Sequence, residues 1–135
     1  MGGHDKRMKG TYNSSPEGYQ LIIDRPDEGR GVWNGWITLP NKRTAPVSGY
    51  FTFEKDKNGT NYTFLKIREN DSYSESWHLR CYSESYDGTV YYEKWNGHRA
   101  GPDDAEPHTS YSFYKDLSEN GSNETAIGWN SIKRT

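Results

Sequence analysis

About eight short segments of this chain alternate polar and apolar residues, and rings fill most of the apolar positions. That pattern constrains the fold more than any other feature. The chain holds 11 Tyr, 5 Trp and 4 Phe but only 5 Leu, 6 Ile and 3 Val. Leu, Ile, Val and Phe make 18 of 135 residues, a share low enough to signal disorder by itself. Disordered chains usually pair low hydrophobicity with high net charge, whereas the net charge here is −2. Rings must then supply the buried area, at roughly 150–250 Å² each.

No segment longer than a turn or two repeats apolar residues at helical spacing. The alternation predicts strands at 9–13, 19–24, 31–39, 46–54, 61–68, 75–83, 89–95 and 109–115. Turn residues separate them: Ser14–Gly18, Pro26–Gly29, Pro40–Arg43, Asn58-Gly59 and Asp87-Gly88. Such spacing fits an antiparallel eight-stranded up-and-down β-barrel, with a β-sandwich as the alternative. The longest connection is expected from Asn96 to His108. Alternation also assigns faces. Trp33, Gly35, Ile37 and Leu39 share one side of the third strand; Val32, Asn34, Trp36 and Thr38 share the other. Trp77, Leu79 and Cys81 oppose Ser76, His78, Arg80 and Tyr82. In the seventh strand Tyr91, Glu93 and Trp95 oppose Val90, Tyr92 and Lys94. Rings on both faces predict a homo-oligomer.

The length fits a single domain over 1–135, with the barrel at about 9–115 and a tail at 116–135. Mean hydropathy is −1.16 and no apolar run approaches the ~20 residues of a membrane helix, so no membrane partner is expected. Residues 1–10 hold no apolar stretch, so the expected location is the cytoplasm unless a secretion signal has been removed. With 17 basic and 19 acidic residues, the overall balance gives no field for nucleic acid. The single Cys81 reads as an inert core thiol. His4, His78, His98 and His108 are far apart in sequence and lack metal-ligand spacing. No catalytic residues, metal or cofactor are expected, and the chain reads as a non-enzyme.

Several strand texts resemble the avidin and streptavidin family. Gly10-Thr11-Tyr12-Asn13 is similar to the family's opening G-T-W-x-N. Asn34-Gly35-Trp36-Ile37-Thr38 resembles T-G-T-Y-x-T, and Val47-Ser48-Gly49-Tyr50 resembles L-T-G-x-Y. Asn61–Lys66 resembles G-W-T-V-x-W-K, and Trp77–Trp95 resembles the T-G-Q-x-hairpin-T-x-W segment. The likeness runs in order over residues 9–115. It implies an avidin-like barrel with a biotin-like site in its mouth. Carried over by position, Asn13 takes the place of the first-strand polar ligand, and Tyr19 that of the serine of the G-S turn. Trp36 stands for the third-strand Tyr, Thr38 for the polar residue after it, and Tyr62 for the fifth-strand Trp. Trp95 keeps the seventh-strand Trp, and Ser112 falls near the last-strand Asn or Asp. The Trp expected between the seventh and eighth strands is missing. The ring wall thus survives better than the clamp on biotin's ureido group.

The expected function is therefore non-catalytic binding of a small molecule, biotin-like with a weakened polar clamp; glycan binding by a lectin is the alternative. Trp36 and Trp95 are expected to face one shared cavity, with Asn13, Thr38, Tyr62 and Ser112 around it.

Overall fold

A computed structural model describes residues 6–71, 75–83, 88–102 and 109–116. They form eight strands and no helix: β1 (Gly10–Ser14), β2 (Tyr19–Ile23), β3 (Val32–Thr38), β4 (Thr44–Lys55), β5 (Asn61–Glu69), β6 (Ser76–Tyr82), β7 (Lys94–Gly101) and β8 (Tyr111–Lys115). Each strand pairs antiparallel with the next, and β1 pairs with β8 through Tyr12↔Lys115, Asn13↔Tyr114 and Ser14↔Phe113. The result is the expected closed up-and-down barrel. Closure leaves no sheet edge unpaired, which removes a route to aggregation.

The period-2 pattern decides which side chains enter. Tyr12, Leu21, Trp33, Ile37, Val47, Phe51, Leu65, Ile67, Trp77, Leu79, Trp95 and Phe113 are buried in one continuous core. Their neighbours in sequence point outward. Trp77 is the hub: its ring meets Tyr19, Tyr111 and Phe113 edge to face at 5.0–5.3 Å. These are favoured ring geometries, and they lock the interior as packed matter. Cys81 is buried as expected, and burial pushes its thiol up to about 12.

The two barrel ends differ. At one end the chain before β1 crosses beneath the barrel. Met8 is buried there, and the Tyr12 hydroxyl donates to its carbonyl at 2.6 Å. Lys115 donates to the Arg7 carbonyl and lies 5.2 Å from the Tyr12 ring. Val90 and Tyr92, from the β6–β7 connection, are also buried in the core. Met8, Val90, Tyr92 and Lys115 plug this end. The other end carries the β1–β2, β3–β4, β5–β6 and β7–β8 connections; among the described residues it has no such plug, and it is termed the open end.

The seventh strand is a correction. It was expected at 89–95 but runs from Lys94 to Gly101. Of the segment read as strand, residues 89–93 are the connection whose apolar residues help plug the closed end, and Lys94 and Trp95 begin β7. The first part of the segment read as a long loop, residues 96–101, is strand, with Trp95, Gly97 and Arg99 on the inward parity of β7; residues 103–108 lie outside the described residues. Asp87, expected in a turn, and the expected tail from 117 onward lie outside the described residues.

Candidate functional site at the open end of the barrel

A ring of charge closes over the aromatic core at the open end. Glu75, just before β6, is only 1% exposed. Its carboxylate accepts from Arg99 Nε at 3.0 Å and from Nη2 of the same guanidinium, and Trp77 Nε1 donates to Oε1 at 3.1 Å. Arg99 reaches it from the inner face of β7 and lies 5.6 Å from the Tyr19 ring. Glu69, the last residue of β5, accepts from Arg43 Nη1 and Nη2 at 3.1 and 3.3 Å and from the Glu75 amide at 3.4 Å. That contact raises the Arg43 guanidinium above its ordinary value. A buried carboxylate is tolerable only when paired and hydrogen-bonded, and both acids meet that condition.

Beside this mouth, between the β1–β2 and β3–β4 connections, lies a cleft of about 360 Å³. Tyr19 belongs to both features. The cleft presents amides of Asn13 and Gln20, hydroxyls of Ser14, Ser15 and Thr38, and the Lys42 side chain. Gln20 Nε2 donates to Asn13 Oδ1 at 3.0 Å, which fixes one amide against the other. Ser14 Oγ donates to Glu17 at 2.7 Å, and Thr38 Oγ1 lies 2.9 Å from Thr44 Oγ1.

The six expected site residues do not meet in one cavity. Trp95 is inside and fully buried, 6.2 Å from Tyr12 and 5.7 Å from Tyr92 between ring centres. Trp36 is outside and 42% exposed. Burial alternates along β3 so that Trp33 and Ile37 enter and Trp36 cannot. Asn13 and Thr38 come together, but in the outer cleft. Tyr62 and Ser112 lie on the outer face of β5 and β8, where Ser112 Oγ donates to Asn96 Oδ1 at 2.6 Å. One position of slip in register exchanges the faces of a strand, and the carried-over positions of β1, β3, β5 and β8 are offset in that way. The residues that line the open end, Glu69, Glu75, Trp77, Arg99 and Tyr111, were not singled out from sequence. Their one legible signal was Trp77 on the apolar face of β6.

Two of the histidines, distant in sequence, are neighbours in the barrel, while His4 and His108 lie outside the described residues. His78 and His98 are register partners on the outer face of β6 and β7, with ring centres 5.4 Å apart. Lys66 Nζ lies 2.9 Å from His78 Nε2 and donates to Ser76 Oγ at 2.8 Å. Partial burial, then the neighbouring Lys66, His98 and Arg80, hold the His78 imidazole below its usual value. Burial and Arg68 lower Lys66 likewise. Among the described residues no three His, Cys, Asp or Glu side chains gather where a metal could sit. No described helix is long and apolar enough to cross a membrane.

No protein-family model, no curated protein and no solved structure matches the chain.

Proposed function

We propose that this protein is a non-catalytic binder of a small polar ligand, held at the open end of the barrel. The observation that carries the reading is the asymmetry of the two ends. One is plugged by Met8, Val90, Tyr92 and Lys115. The other joins an aromatic floor, a fixed Glu75–Arg99 pair and a polar cleft of about 360 Å³. Small-molecule sites commonly combine ring walls with a few convergent polar groups. An eight-stranded barrel has room for one small ligand at most, and here rings fill the interior, so the ligand sits at the rim.

The non-catalytic part is supported by the state of the acids. Glu69 and Glu75 already accept from Arg43, Arg99 and Trp77, which leaves neither poised as a base. A biotin-like ligand is supported by the barrel type and strand order. It is weakened by the outward placement of Thr38, Tyr62 and Ser112. The amide- and hydroxyl-lined cleft favours the second reading, a sugar ligand, because Asn13, Gln20, Ser15 and Thr38 offer the donors and acceptors that hydroxyls match. Self-association of copies through the outer apolar strip of Ile22, Trp36 and Pro46 completes the proposal.

A thermal-shift screen of biotin, desthiobiotin and a panel of mono- and disaccharides tests the reading. A ligand that binds the native state raises the melting temperature in a concentration-dependent way. One family of small molecules doing so, with the effect lost in Lys42→Ala or Gln20→Ala, supports it. A flat response across the whole panel, or a response unchanged in both variants, would count against it.

A further inference from the structure

The outer face of β5 to β8 carries a feature that the open-end site does not use. Tyr62 and Tyr82 are register partners with ring centres 5.0 Å apart and planes inclined by 33°. Arg80 lies over both Tyr62 and Phe64, at 5.8 and 5.7 Å from their ring centres. Beside them is a surface cleft of about 430 Å³ lined by Tyr82, Tyr91, Glu93, Lys94, Asn96 and Tyr114. Tyr82 and Tyr114 are 45% and 49% exposed, and Lys94 Nζ lies 5.4 Å from the Tyr114 ring centre. From Phe64 the rings continue through His78 to His98, at 5.8 and 5.4 Å.

Charge on this face is one-sided. Lys66, Arg80 and Lys94 are basic side chains at outward positions, and His78 and His98 adjoin them. Glu54, the register partner of Tyr62, and Glu93 in the cleft are the carboxylates among the described outward positions of β4 to β8 and the cleft lining, against the cations Lys66, Arg68, Arg80 and Lys94. The whole-chain charge of −2 hides this local excess.

We propose that this face binds single-stranded nucleic acid without strong sequence preference, its bases stacking on Tyr82, Tyr114 and Tyr62 and its phosphates meeting Arg80, Lys94 and Lys66. Rings alternating with cations along an open groove are the ingredients of sequence-tolerant strand binding. A duplex hides its base faces and cannot use the rings. A second copy fits poorly, because a two-fold contact centred here sets like charges against each other.

The test is fluorescence anisotropy of a labelled deoxythymidine strand of about 12 nucleotides, within the range one barrel domain covers. Binding should weaken steeply between about 50 and about 200 mM salt. Tyr82→Ala and Tyr114→Ala should each lower affinity roughly tenfold, while Tyr82→Phe retains it. Arg80→Gln should weaken binding and reduce the salt slope by about one. All three side chains lie outside the core, and far-UV circular dichroism checks that each of the four variants folds. Three results would overturn the proposal: no anisotropy change at low salt; a sulfated glycan competing as well as the strand while the Ala variants bind normally; or self-association through this face that excludes the strand.

Discussion

Two indoles of equal size sit in the core with opposite polar fates. Trp77 Nε1 donates to the buried Glu75 carboxylate. Trp95 Nε1 is fully buried and has no hydrogen-bond partner among the described residues. Replacing either ring by Phe removes a similar volume, so their cavity costs are comparable. Trp77→Phe also strips a donor from a buried carboxylate, whereas Trp95→Phe removes a donor that was already unmet. The first should therefore cost more than the second by about 1–3 kcal/mol in urea unfolding. Equal costs would mean that the Glu75 network contributes nothing through Trp77. Cys81 gives a pH prediction. Its folded thiol titrates at about 12 because it is buried, against an ordinary value of 9.0. The unfolded chain loses this proton first as pH rises. Stability is thus complete below about pH 9 and drains as pH climbs toward about 12. By pH 10.5 the loss from this one group is about 2 kcal/mol. Tyr92, raised by burial beside it, pushes the same way. Urea midpoints at pH 8 and 10.5 should fall further apart in the wild type than in Cys81→Ala.

At the scale of strands, legibility followed the alternation. β6 was read with its inner face correct because Trp77, Leu79 and Cys81 are consecutive inward apolar positions; β3 was divided correctly by parity, but Trp36 and Thr38 were placed inside, whereas Trp33, Gly35 and Ile37 are the residues that enter. β7 was misplaced because its inward residues after Trp95 are Gly97 and Arg99, which look like a loop. The connection before it offers Val90 and Tyr92, which look like a strand. Gly97 is small for a physical reason: a Cβ there would lie 1.9 Å from the His78 carbonyl oxygen. Gly35 and Gly49 are alike, with a Cβ 1.8 Å from the Ile22 and Lys66 carbonyl oxygens. These glycines let adjacent backbones approach more closely than any side chain allows. Gly49→Ala must push β4 from β5, next to the Trp33 indole that donates to Lys66 at 3.0 Å. It should destabilise by on the order of 3 kcal/mol or more, read as a lower denaturant midpoint. A change at the exposed Gly59, where a Cβ would meet nothing within 4 Å, is a poor comparison because its φ is +82°. Thr52→Ala, on the outer face of the same β4, is the better control and should be nearly neutral.

For the whole molecule, the barrel was legible and the site was not. Turn spacing and period-2 alternation are properties of single segments, and they sufficed to specify eight antiparallel strands. The open-end network joins Arg43, Glu69, Glu75 and Arg99, which lie in four different parts of the chain. Only closure of the sheet brings them together, and local patterning carries no trace of that. The outward placement of Trp36 likewise depends on one residue of register. The two ends of the barrel differ among the described residues, one plugged and the other proposed to hold a ligand. Nitrogen–proton correlation spectra measure this directly, because each indole N–H of the five tryptophans reports its own surroundings. Titration with a ligand identified by thermal shift should move the Trp77 indole signal and the amides of Ser14–Gln20 and Thr38–Lys42. It should leave the Trp95 indole, near the plugged end, unmoved. Shifts centred on Trp95 and the closed end, or on Trp36 alone, would contradict it.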